Sequence, residues 1–71
     1  MTDLPVLKTK IYELRKERNM QQAELASLVG VRRETIGNLE NGKYNPSLKL
    51  AMDIAKVFKR PVEYIFTYED D

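Results

Sequence analysis

The chain has no cysteine and no histidine in its 71 residues. Disulfides are therefore excluded, as is any zinc site built on thiolate or imidazole ligands. Catalysis would have to rest on a paired-carboxylate or serine-lysine constellation, and Ser27 and Ser47 stand in no context that suggests activation. The chain is expected not to be an enzyme and to need no metal or other cofactor. Long apolar runs are missing too. Nothing approaches the length of a membrane span, and the opening MTDLPVLKTK lacks the apolar centre of a signal peptide. This reads as a cytoplasmic protein with no membrane partner. No linker, repeat or low-complexity tract interrupts it, so residues 1–71 are expected to form one small domain, at a size where burial is only just sufficient. With no covalent or metal staple, dimerisation is the natural supplement.

The charges are unevenly spread. The formal net charge is +1, but three of the eleven acids are Glu69, Asp70 and Asp71, which leaves a net +4 on residues 1–68. Between Arg15 and Lys49, seven bases (Arg15, Lys16, Arg18, Arg32, Arg33, Lys43, Lys49) stand against four acids (Glu17, Glu24, Glu34, Glu40). A local excess of this kind attracts phosphate, although a mixed solvated surface has the same composition. The acidic tail could bind a cation, but a frayed, solvated end is the simpler reading.

Hydrophobic period divides the chain into five helices. The first spans about 10–18, with Thr9 as N-cap and Ile11, Leu14, Arg15 and Arg18 on one face. The second spans 22–29, ending before Gly30, and the third spans 33–41, closing at Asn41-Gly42. Ser47 caps the fourth, 48–58, where Leu50, Ala51, Ile54, Ala55, Val57 and Phe58 form a broad apolar stripe. Pro61 suits the first turn of a short fifth helix, 62–66, carrying Val62, Ile65 and Phe66. The fold class is all-α, a five-helix bundle.

Residues 22–39, QAELASLVGVRRETIGNL, fit two helices that cross at a tight turn. Close approach needs a small residue at the crossing, which Ala26 supplies, and a tight connection needs a residue free to take positive φ, which Gly30 supplies. Leu25, Val29, Val31, Ile36 and Leu39 fall where side chains would pack beneath. This is the frame of a DNA-binding helix-turn-helix; a plain helical hairpin would share part of it. Arg15, on the inner face of the first helix, needs an acceptor if drawn from water, and Glu40 is the obvious one. The other reading leaves both as ordinary surface charges.

QAELA, the Gly30-Val31 turn, TIGNLENGK and the following NPS together resemble the Cro/repressor-type, or Xre-type, helix-turn-helix regulators, over about residues 8–66. KYNPSLKLAMDIAKVF followed by EYIFTYE is especially similar to short stand-alone members. The resemblance implies a small antiparallel sheet from the chain ends, near Leu7 to Lys8 and Phe66 to Tyr68, a two-fold dimer, and an Arg15–Glu40 ion pair. It also implies an alternative, since antitoxins of some toxin–antitoxin pairs share this domain and bind a protein partner as well as DNA. Two positions depart from the family. Gln21 and Arg32 stand where Thr or Ser commonly caps the second and third helices, and neither is a good cap. Gly37, inside the third helix, costs about 1 kcal/mol against alanine; it marks either a close approach of backbone to DNA or a tolerated surface glycine.

A helix fits the major groove, where each base pair displays its own donors and acceptors. Double-stranded DNA is therefore the expected partner. The expected base readers are Arg33 (guanine), Glu34 (cytosine N4, or merely the helix dipole), Thr35 (a thymine methyl or a phosphate) and Asn38 (adenine). Phosphates would be held by Gln22, Arg32, Asn41, Lys43, Tyr44 and Asn45. Phe58, Val62, Tyr64, Ile65 and Phe66 are the candidate homodimer surface, because so small a bundle cannot enclose every apolar residue of its last two helices. The expected activity is transcriptional regulation, as a repressor on a near-palindromic operator.

Overall fold

The two ends of the described chain pair with each other. A computed structural model describes residues 6–69, with strand β1 (Val6–Thr9) antiparallel to β2 (Phe66–Glu69) so that Leu7 faces Tyr68 and Thr9 faces Phe66. Between them lie helices α1 (Ile11–Glu17), α2 (Gln22–Val29), α3 (Arg33–Glu40), α4 (Leu48–Phe58) and α5 (Val62–Ile65). Five helices and the small sheet are as expected. Of the acidic tail, Asp70 and Asp71 lie outside the described residues.

The sheet alters the expected helix ends. Thr9 does not serve as N-cap of α1. It belongs to β1, Lys10 takes the cap position, and the Lys10 N–H donates to Ile65 O at 2.9 Å, so strand pairing claims the residues that a helix start would use. The Thr9 hydroxyl accepts only a long 3.5 Å bond from the Ile11 N–H. At the other end Phe66 leaves the helical conformation (φ −120°, ψ 126°) and opens β2 rather than closing α5.

Four helices stop by one device. Asn19, Gly30, Gly42 and Lys59 all take positive φ. Behind each, the next residue's N–H reaches back five positions: Met20 to Arg15 O, Val31 to Ala26 O, Lys43 to Asn38 O and Arg60 to Ala55 O, at 2.9–3.2 Å. This Schellman closure satisfies a carbonyl that the helix end would otherwise leave free. At α4's end Arg18 adds a second hold, its guanidinium donating to Val57 O (2.8 Å) and Phe58 O (3.1 Å). Arg18 is thus exposed, though expected on the inner face of α1. A cation at a helix C-terminus is favoured by the macrodipole.

The core is built from Ile11, Leu14, Met20, Leu25, Ala26, Ile36, Leu39, Leu50, Ile54, Phe58 and Ile65. Fully burying one such Leu, Ile or Phe side chain contributes roughly 1.5–3 kcal/mol. Phe58 and Ile65 are each 1 % exposed, which removes them from the candidate dimer surface: Phe58 continues the buried stripe Leu50, Ala51 and Ile54 of α4, and Ile65 is the buried residue of one-turn α5.

Candidate nucleic-acid interface

The crossing of α2 and α3 is set by three small facts. Ala26, 3 % exposed, leaves room for the helices to meet, and Leu25, Ile36 and Leu39 are fully buried beneath them. Gly30 turns the chain at φ 75°, ψ 33°, with its N–H on Ala26 O. A Cβ there would meet nothing within 4 Å, so the demand for glycine is the left-handed backbone and not lack of space.

With Ile36 and Leu39 directed inward, α3 presents Arg33, Glu34 and Asn38 to solvent, with Thr35 half-buried beside them. Gln21 and Arg32 occupy the N-cap positions of α2 and α3, and neither side chain makes a capping hydrogen bond. The Glu24 and Thr35 N–H groups turn instead to the cap carbonyls, Gln21 O at 3.1 Å and Arg32 O at 3.0 Å, so neither helix start is closed by a cap side chain. Arg32 and Arg33 stand at the positive end of the α3 dipole, a placement that costs stability in isolation and turns favourable when an anion approaches.

Arg33 and Gln22 are brought together with the buried ion pair behind them. Arg15 Nε donates to Glu40 Oε2 at 2.5 Å and Arg15 Nη2 to Glu40 Oε1 at 3.1 Å, while Arg15 Nη1 takes up Met20 O at 2.8 Å. The two side chains are 7 % and 8 % exposed. Gln22 Nε2 donates to the same Glu40 Oε1 at 3.0 Å, and Gln22 Oε1 accepts from Arg33 Nη1 at 3.2 Å. A continuous chain of hydrogen bonds thus runs from the inside of α1 to Arg33, the exposed first residue of α3. Gln22 lies over Gly37, yet a Cβ on residue 37 would meet its amide at an ordinary 3.8 Å. Packing among the described residues does not explain that glycine.

After α3 the chain turns at Gly42 (φ 72°), where a Cβ would stand 2.7 Å from Leu7 O. Here both the backbone conformation and the approach of β1 require glycine. Asn41, Lys43, Tyr44 and Asn45 follow α3 in the loop and are all exposed. Asn45 Oδ1 accepts a hydrogen bond from the Tyr68 hydroxyl of β2.

At the opposite end of the chain Val62 and Phe66 are half-buried, and Tyr64 is 42 % exposed, its ring facing Arg60 (4.9 Å to the guanidinium carbon) and Lys10 (5.5 Å to Nζ). These three of the five dimer candidates reach the surface. Leu48 and Met52, four residues apart on α4, form another exposed apolar pair that the sequence reading did not single out. Arg18, expected only on a face of α1, and Tyr68, expected only in the terminal strand, make side-chain contacts that the sequence does not signal. The only signal for Tyr68 is strand alternation, which puts it on the same face of the sheet as buried Leu7.

The helix-turn-helix family profile matches residues 11–65 of the chain. A protein of Archaeoglobus fulgidus described as an uncharacterized HTH-type transcriptional regulator is 57 % identical over 65 residues, covering 92 % of both chains. Among solved structures, the P22 c2 repressor in complex with a synthetic operator is similar with a TM-score of 0.74 and 25 % identity, over 78 % of this chain and 83 % of that one. The restriction-modification controller protein C.AhdI of Aeromonas hydrophila gives 0.71 and 29 %, with the same coverage. A five-helix fold whose α2–Gly30–α3 crossing exposes a polar helix face, matched from α1 to α5 by the family profile, places the chain in the Cro/repressor-type (Xre) family of helix-turn-helix DNA-binding transcriptional regulators.

Proposed function

We propose that this protein is a repressor that binds a near-palindromic operator as a homodimer, each copy acting as a single domain with one α3 in a major groove. The observation that carries the reading is the Arg33–Gln22–Glu40–Arg15 chain. It ties Arg33, on the polar helix face, to the inside of the fold, and a side chain held in place loses less entropy on gripping a base. Arg33 then reads guanine O6 and N7, Asn38 reads adenine, and Glu34 and Thr35 read the neighbouring positions. The exposed Arg32, Asn41, Lys43, Tyr44 and Asn45, together with half-buried Gln22, hold phosphates on either side, where backbone contacts set register without reading sequence.

Dimerisation through Val62, Tyr64 and Phe66 supplies the specificity one small half-site lacks. Two-fold symmetry sets the recognition helices about 34 Å apart, and the half-sites roughly 10 base pairs apart. The relatives are named as transcriptional regulators, which favours this reading over an antitoxin with a protein partner. Such a protein works in the cytoplasm, on the chromosome. Selection of duplexes from a random pool tests the proposal. Enrichment of an inverted repeat with that spacing is expected, and failure to enrich any sequence contradicts it.

A further inference from the structure

We infer that Tyr68 is a positioning residue for DNA-backbone binding: it fixes the Asn45 amide so that the donor end of that amide faces a phosphate. The inference rests on the DNA-binding reading above and extends it from the helix-turn-helix to the terminal sheet. Tyr68 lies on β2, opposite Leu7, and its hydroxyl donates to Asn45 Oδ1 in the loop that leaves α3. An asparagine amide has one acceptor end and one donor end, and a free side chain can present either. Once a phenol O–H occupies Oδ1, the Nδ2 group is directed away from the phenol, and neither of its N–H donors has a partner among the described residues. A phosphate oxygen only accepts, so this is the orientation that backbone binding needs, and the opposite one would bring an oxygen against an oxygen. Loop and sheet are joined at a second point as well, because Gly42 meets Leu7 O so closely that no Cβ fits. Both strands thus bear on the loop, which anchors the Tyr68 hydroxyl relative to Asn45.

The step from Tyr68 to DNA is indirect, through an orientation that would otherwise have to be fixed on binding. The test is a double-mutant cycle of Tyr68→Phe and Asn45→Ala, with affinities measured on a duplex selected from a random pool and on a random-sequence duplex. Urea unfolding of each variant accompanies it. Tyr68→Phe keeps the ring and removes only the hydroxyl. It is expected to bind both duplexes roughly three- to tenfold more weakly, the worth of one net hydrogen bond, and to unfold at the wild-type urea concentration. In the Asn45→Ala background the same change is expected to have no effect on binding. Wild-type affinity in Tyr68→Phe overturns the inference while leaving the DNA-binding reading intact, and so does a loss that persists undiminished without Asn45. A wild-type protein that binds neither duplex overturns the reading and the inference together.

Discussion

Arg15 and Glu40 form a two-point ion pair inside the bundle, with N···O separations of 2.5 and 3.1 Å and both side chains less than a tenth exposed. The remaining Arg15 donor goes to Met20 O, and Gln22 shares the carboxylate. Among the described residues no buried side-chain nitrogen or oxygen lacks a partner. One carboxylate at the end of α3 therefore holds α1 and α2 together.

Glu40→Ala leaves the Arg15 guanidinium buried without its counter-charge. A loss of about 3–5 kcal/mol is expected, because stranding one partner costs more than the pair contributes. A domain of this size has only roughly 4–11 kcal/mol in total. Replacing both residues with apolar ones of similar volume is expected to cost far less. Urea midpoints of the three proteins decide it, and an unchanged midpoint for Glu40→Ala would refute the structural role.

Gly42 and Gly37 should respond in opposite directions to alanine. At residue 42 the methyl group meets Leu7 O at 2.7 Å on a backbone with positive φ, so a destabilisation of about 1–3 kcal/mol is expected. At residue 37 it meets only the Gln22 amide at 3.8 Å, and a gain of about 0.5–1 kcal/mol is expected from helix propensity. Thermal unfolding separates them. A Gly37→Ala protein that is more stable yet binds DNA less well would identify residue 37 as a point where the DNA backbone comes close.

Lys43→Ala should weaken binding to every duplex by the same factor and lower the slope of log K against log salt by about one unit, as removal of one phosphate contact does. Affinity titrations at several salt concentrations measure this. An unchanged slope removes Lys43 from the interface.

Tyr64→Asp should abolish the dimer without unfolding the chain, since Tyr64 is 42 % exposed. The same change at Met52, exposed on α4, should leave the dimer intact. Sedimentation at micromolar concentration, with and without selected duplex, reads both. A wild-type protein that stays monomeric on DNA contradicts the dimer, and loss of the dimer in Met52→Asp alone moves the interface to α4.

The helices are legible in the sequence because their signals are local. The stripe from Leu50 to Phe58 repeats with helical period, Ser47 sits three residues before the Leu50 N–H it accepts, and Gly30 and Gly42 stand where left-handed backbone is needed. Asn19 and Lys59 make the same closure without glycine; asparagine tolerates left-handed backbone, whereas a lysine gives little warning of it. The Thr9 cap failed because Thr9 pairs in the sheet with Phe66, 57 residues away. Arg18 reaches Val57 and Phe58, and Tyr68 reaches Asn45, across separations that no period encodes. Placing Gln22 at the opening of α2 was possible from the chain alone, but its link between Glu40 and Arg33 depends on how α2 crosses α3. Two dimer candidates, Phe58 at the end of α4 and Ile65 on one-turn α5, failed for a related reason: an apolar residue near the end of the chain reads the same whether it faces its own core or a second copy.

The central claim is that α3 reads base sequence through Arg33. Its most direct test is the affinity of wild type and Arg33→Ala for a selected operator and for every single-base-pair variant of it. Arg33→Ala is expected to lose about 1–3 kcal/mol on the operator and to become indifferent at one base pair in each half-site while keeping its preferences elsewhere. Equal weakening on all sequences, or wild-type discrimination in Arg33→Ala, would contradict the account.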